Sequence, residues 1–180
     1  PSGVSHGIHC AGLAAAASDN GIGVAGYDWG AQVMPVRVFP PDDGTSTSII
    51  NAGIAYAIDN GADIISMSIG GGYSSAMDTP IAQAHAAGIV VVVAAGNETH
   101  VFTNDPSSWM SPVCNDGPNL GTDNFVLGVG ATDVNDVIAG FTNRDASDYN
   151  FVDVMAPGVQ TLSTYYYDPS TPGLEEMYGP

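Results

Sequence analysis

The sequence predicts an α/β fold of three layers, a mainly parallel central sheet flanked by helices. Three observations carry this. Ile89-Val90-Val91-Val92-Val93-Ala94-Ala95 is a continuous apolar run of strand length ending in Gly96-Asn97, the pattern of a buried parallel strand that meets a site at its carboxyl end. Ile49, Ile50, Gly53, Ile54, Ala57 and Ile58 recur at helical spacing. Strand and helix patterns alternate around these two segments, and that succession builds right-handed parallel crossovers.

The first element is a helix capped by Ser5 and continued by Ala11, Gly12 and Ala14 to Ala17, small residues that allow tight burial. His6 stands in its first turn, and His9 and Cys10 share its face. Imidazole titrates near neutral pH and a rigid helix can aim it, which suits general-base work. Ser18 to Gly26 is a turn-rich loop whose Asp19 and Asn20 offer oxygens. Val33 to Phe39 alternates as a strand does, and Pro40-Pro41-Asp42-Asp43-Gly44 turns the chain. Thr47 or Ser48 starts the second helix and Asn60-Gly61 stops it.

Ala62 to Ile69 reads as the next strand and Ser75 to Ala87 as the next helix, closed by Gly88, with Pro80 tolerated near its first turn. Glu98 to Asn124 has no periodicity, and a loop of that length in a compact domain is more often functional than idle. Phe125 to Ala131 is a further strand, Asp145 to Phe151 turn material, and Val152 to Met155 a short strand ended by Ala156-Pro157-Gly158. From Thr164 onward no core pattern appears.

With 180 residues and 44% hydrophobic content, one domain over residues 1–180 with a real core is expected. Nineteen acidic residues face two basic ones, Arg37 and Arg144, for a net charge of -17. Such a balance repels phosphate backbones and anionic headgroups, so nucleic-acid and membrane-surface partners are excluded as expectations. The simplest reading is a solvated acidic surface; the balance is also compatible with bound calcium or a high-salt habitat. No apolar run has the length of a membrane span. Cys10 and Cys114 are not expected to form a disulfide, and Cys10 is expected as a small buried hydrophobe on the first helix.

Four blocks, Ser5 to Gly12 (SHGIHCAG), Ile65 to Gly72 (ISMSIGGG), Val92 to Glu98 (VVAAGNE) and Val152 to Gly158 (VDVMAPG), stand in an order that resembles the subtilisin-like serine proteases, the subtilases. The resemblance implies a secreted serine endopeptidase acting on polypeptides, with His6 as the general base and Asn97 as an oxyanion donor. It implies that Ser68-Ile69-Gly70 pairs with an extended substrate and that Ala94-Ala95-Gly96 walls the primary specificity pocket. It places a structural calcium ion on the side chain of Asn20 and the carbonyls of Ile22 and Val24. By the family pattern the orienting Asp lies upstream of Pro1 and the Gly-Thr-Ser-Met-Ala segment of the nucleophile beyond Pro180, so the fold is expected to be incomplete. Gly44-Thr45-Ser46 lacks the Met-Ala continuation, and Ile8 departs from the family's usual Thr.

Two other readings compete. A subtilase-like domain without catalysis would keep the fold and bind peptides. A nucleotide-binding α/β domain would use Gly70-Gly71-Gly72, which follows a strand and precedes a helix, although no lysine is present to meet phosphates.

Overall fold

The computed structural model describes residues 2–40, 44–117, 124–146 and 150–165. The chain forms two compact units, one from Pro1–Pro35 with Val159–Pro180 and one from Val36–Gly158.

In the first unit, helix α1 spans Ser2–Ala15. It starts three residues before the expected cap, so Ser5 lies inside the helix. The free carbonyls of its last turns are met by the returning chain. Tyr27 N donates to Leu13 O at 2.9 Å, Asp28 N to Ala14 O at 3.0 Å, and Gly26 N to Ala16 O at 3.1 Å. Residues 161–164 lie along the same helix. Ser163 Oγ donates to His9 O at 2.6 Å and Thr164 Oγ1 to Ile8 O at 2.9 Å, where the missing side chain of Gly12 leaves them room. Residues 166–180 lie outside the described residues.

The second unit holds a four-stranded sheet of β1 (Ile64–Met67), β3 (Val90–Ala94), β6 (Leu127–Thr132) and β8 (Val154–Pro157), in the order β1-β3-β6-β8. Every pair is parallel, with Ile64 opposite Val90, Val92 opposite Leu127 and Val129 opposite Val154. Paired residues share a face, so alternation decides which side is buried. Ile65, Met67, Val91 and Val93 turn inward onto helices α2 (Thr47–Asp59) and α3 (Asp78–Ala86), which bring Ile54, Ala57, Ile81 and Ala84 into one core. The opposite face leaves Ile64 62% and Val90 51% exposed, with Leu127 and Val154 beside them. The α/β class and the parallel sheet are as expected, and this unit by itself supplies the sheet and one helical layer.

Local chemistry explains most boundaries. Ser46, one residue before the expected start, caps α2 by accepting from Ile49 N, which gives the serine of the Gly-Thr-Ser triplet a structural job. Pro80 sits in the first turn of α3, where its missing N–H costs no helical bond. Val33 to Phe39 is the clear miss, since no strand forms there. Pro35 removes a ladder donor, Val33 and Phe39 are exposed, and Val38 instead packs over Gly53 of α2.

The expected loop from Glu98 to Asn124 is structured over residues 98–117, while residues 118–123 lie outside the described residues. β4 (Val101–Phe102) pairs with β7 (Arg144–Asp145), and β5 (Met110–Ser111) pairs antiparallel with β2 (Gly71–Gly72). Phe102, Trp109 and Phe151 meet edge to face at 5.8–5.9 Å, and Ser111 to Asp116 are buried. Aperiodic spacing hid this core because aromatic packing in short ribbons needs no repeat.

The sheet approaches the 151–153 segment closely at Gly128. A Cβ there would collide with the carbonyl oxygen of Phe151 and lie 3.1 Å from Val113 Cγ2. Asp153 pins that backbone twice, by its N to Gly128 O at 2.9 Å and by Oδ2 accepting from Gly128 N at 2.7 Å. Gly128→Ala is therefore expected to destabilise the protein by about 1–3 kcal/mol. Denaturant titration checks this, and a change below about 0.5 kcal/mol would show that the 151–153 backbone yields freely.

Candidate functional site

The carboxyl ends of β1 and β3 leave the sheet side by side, because Met67 pairs with Val93 in parallel register. The segment Ser68-Ile69-Gly70 therefore departs next to Ala94-Ala95-Gly96. Ser68 and Gly70 are exposed and Ile69 half-buried, while Ala95 is buried and its N–H donates to Val129 O of β6 at 2.8 Å. Small residues at this end leave the backbone approachable, as strand addition by an extended chain requires.

Asn97 lies in the turn that follows β3 and is exposed. Gly96 enters that turn with φ +104°, a value that an L side chain rarely adopts, and Thr99 has φ +57°. Among the described residues no hydrogen bond holds the Asn97 carboxamide, so it is available to a ligand. The turn itself is held from outside by Asn143. Its amide donates to Ala95 O at 2.9 Å and Glu98 Oε2 at 2.7 Å, and its Oδ1 accepts from Glu98 N at 3.0 Å and His100 N at 2.8 Å. Sequence reasoning passed over Asn143, because an Asn between apparent turns reads as turn chemistry.

Gly71 and Gly72 are occupied in the β2–β5 ladder, opposite Ser111 and Met110, and a short 3-10 turn at Ser75–Met77 follows them before α3 begins at Asp78. Their backbone groups thus serve a β ribbon, in contrast to the helix-capping glycines of a phosphate loop.

The other unit carries the histidine block. His6 is exposed on α1, and the Cys10 Sγ lies 3.9 Å from its Nε2. That contact follows from the i, i+4 spacing. His9 turns elsewhere, buried, with Nε2 3.2 Å from Thr161 O. Of the histidines left without expected partners, His85 stacks on Phe125 at 4.4 Å and His100 Nε2 lies 2.8 Å from Ser108 O.

In the loop after α1, Ile22 N donates to Asn20 Oδ1 at 3.0 Å. Left-handed geometry recurs at Asp19, Gly21 and Gly23, alternating with Asn20, Ile22 and Val24. Among the described residues no group of three or more His, Cys, Asp or Glu side chains is placed to hold a metal ion.

Four similarities bear on this arrangement. The sequence model of the subtilase family, Peptidase_S8, matches residues 1–180. Thermitase of Thermoactinomyces vulgaris is 37% identical over 165 residues, which is 91% of this chain and 52% of that protein. An extracellular protease of Xanthomonas campestris pv. campestris is 36% identical over 179 residues, covering 93% of this chain and 28% of that protein. Among solved structures, a cold adapted subtilisin-like serine proteinase superposes with a TM-score of 0.56 at 28% identity, over 72% of this chain and 42% of its own. The chain thus spans about half or less of the length of these relatives.

Proposed function

The chain belongs to the subtilase family, and from that premise we propose that it is the middle part of a serine endopeptidase domain, contributing the general base and one oxyanion donor. The observation that carries this is the exposed, unengaged Asn97 amide at the carboxyl end of β3, next to the strand end from which Ser68 to Gly70 depart.

In the proposed reaction, a substrate chain lies along Ser68-Ile69-Gly70, and its side chain before the scissile bond enters between that segment and Ala94-Ala95-Gly96. His6 accepts the proton of a serine hydroxyl supplied by sequence outside these 180 residues, as that oxygen attacks the peptide carbonyl. Asn97 donates to the oxygen as it becomes negative, and His6 then returns the proton to the leaving amine, leaving an acyl-enzyme. An Asp, also from outside, orients the imidazole.

Asn20 with the carbonyls of Ile22 and Val24 fits calcium in donor type, since all are oxygens, and further ligands would have to complete its usual six to eight. Such an ion would cross-link the loop. The protein is proposed to be secreted or surface-held and to act on polypeptides. Among the described residues no helix is long and apolar enough to cross a membrane.

Casein hydrolysis tests the reading. The isolated chain is expected to show no turnover, and a polypeptide extended to include the Asp and Ser segments is expected to degrade casein and be stopped by serine-directed inhibitors. Inhibitor-sensitive activity in the short chain would overturn the division of labour. An extended polypeptide that binds peptides without cleaving them would favour the non-catalytic domain.

A further inference from the structure

Asn143 is fully buried, at 0% exposure, yet its side chain is among the most heavily engaged polar groups described. Burying an amide costs free energy unless its hydrogen bonds are met, and here they are met almost entirely by one turn. The partners are Ala95 O, Glu98 Oε2, Glu98 N and His100 N, while the Asn143 N–H donates to Gly96 O at 3.0 Å. These contacts bracket Asn97 on both sides and leave its own amide untouched. A Cβ on Gly96 would collide with Asn143 Nδ2, so the turn is closed directly around the Asn143 carboxamide.

We propose that Asn143 is a positioning residue for oxyanion stabilisation: it serves as the template on which residues 95–100 wind, and it fixes the direction in which Asn97 donates. The inference rests on the oxyanion role proposed for Asn97. Preorganised donors stabilise developing charge only if they need not move, and a displacement of about 1 Å can cost on the order of a hundredfold in rate. Glu98 completes the template, since its carboxylate accepts from the same amide whose oxygen receives the Glu98 N–H.

Asn143→Asp in the complete peptidase is the informative change. It keeps the shape and the acceptor but replaces the donating NH2 with an oxygen facing Ala95 O and the Glu98 carboxylate. The expected result is a fall in kcat of about tenfold to a hundredfold with KM changed by no more than about twofold. Adding Glu98→Gln, whose amide can donate to the new carboxylate, is expected to restore most of the loss. In an Asn97→Ala background, Asn143→Asp is expected to lower kcat no further, because it acts through Asn97. An equal loss with and without Asn97, or no loss at all, would overturn the proposal. If Asn97→Ala itself costs less than about tenfold, the oxyanion role fails and this inference with it; a full Asn97→Ala loss with an additive cycle removes Asn143 alone. Hydrogen exchange on the unmodified protein gives a check that no folding failure can obscure. The Glu98 and His100 amides should exchange as slowly as those of Val92 and Val93, and exchange at the rate of an open loop would overturn the template.

Discussion

Asn97→Ala is expected to lower kcat by about a hundred- to a thousandfold while leaving KM little changed, a magnitude taken from subtilisin itself and not from this geometry. A carboxamide that gains its partner only as charge develops contributes to the transition state and little to the bound substrate. The structure makes the experiment clean. Asn97 is exposed and no described residue bonds its amide, so removing it should shift stability by no more than about 0.5 kcal/mol. Steady-state kinetics on a peptide amide, with melting curves alongside, would decide the matter. A loss of about tenfold or less at unchanged stability would remove Asn97 from the oxyanion role.

A mercurial is expected to inhibit the complete peptidase by about a hundredfold, and Cys10→Ala is expected to be active and resistant. Cys10 is half-buried on α1 with its sulfur 3.9 Å from His6 Nε2, so a bulky adduct there would displace the imidazole by an ångström or so. Cys114 offers no comparable target. It is fully buried, and burial pushes its thiol up to about 12, so the reactive thiolate scarcely forms at neutral pH. Residual activity after mercurial treatment of the two proteins is the measurement. Sensitivity that survives Cys10→Ala would assign the effect to Cys114 or to a cysteine elsewhere in the protein.

How much of this was legible depended on whether a single physical signal dominated. The β3 run and the α2 spacing are written in burial alone, so both elements lie within a residue or two of expectation. The Gly-Asn step after β3 was readable as the turn that ends the strand, and Gly96 takes its φ of +104° there. Val33 to Phe39 misled because alternation marks a strand only if a neighbour supplies the ladder, and Pro35 works against one. The buried ribbon and aromatic cluster between Val101 and Asp116 was invisible because its partners, Gly71, Gly72, Arg144 and Phe151, are far away in sequence. Asn143 was missed for the same reason, since its importance lies wholly in what residues 95–100 do around it.

The sheet order has a consequence for how the chain acquires its structure. Ile64–Val90, Val92–Leu127 and Val129–Val154 each close a long stretch of chain, and each of these three ladders is parallel. Loop-closure entropy must be met before any of these ladders returns energy, which places the domain among slow folders of high contact order. On a ribosome the strands emerge in the order β1, β3, β6, β8, and β6 waits with an unpaired apolar edge until Val154–Pro157 arrive. Until then the edge carries unpaired backbone N–H and C=O groups, the feature that exposes incompletely folded chains to pairing with another chain.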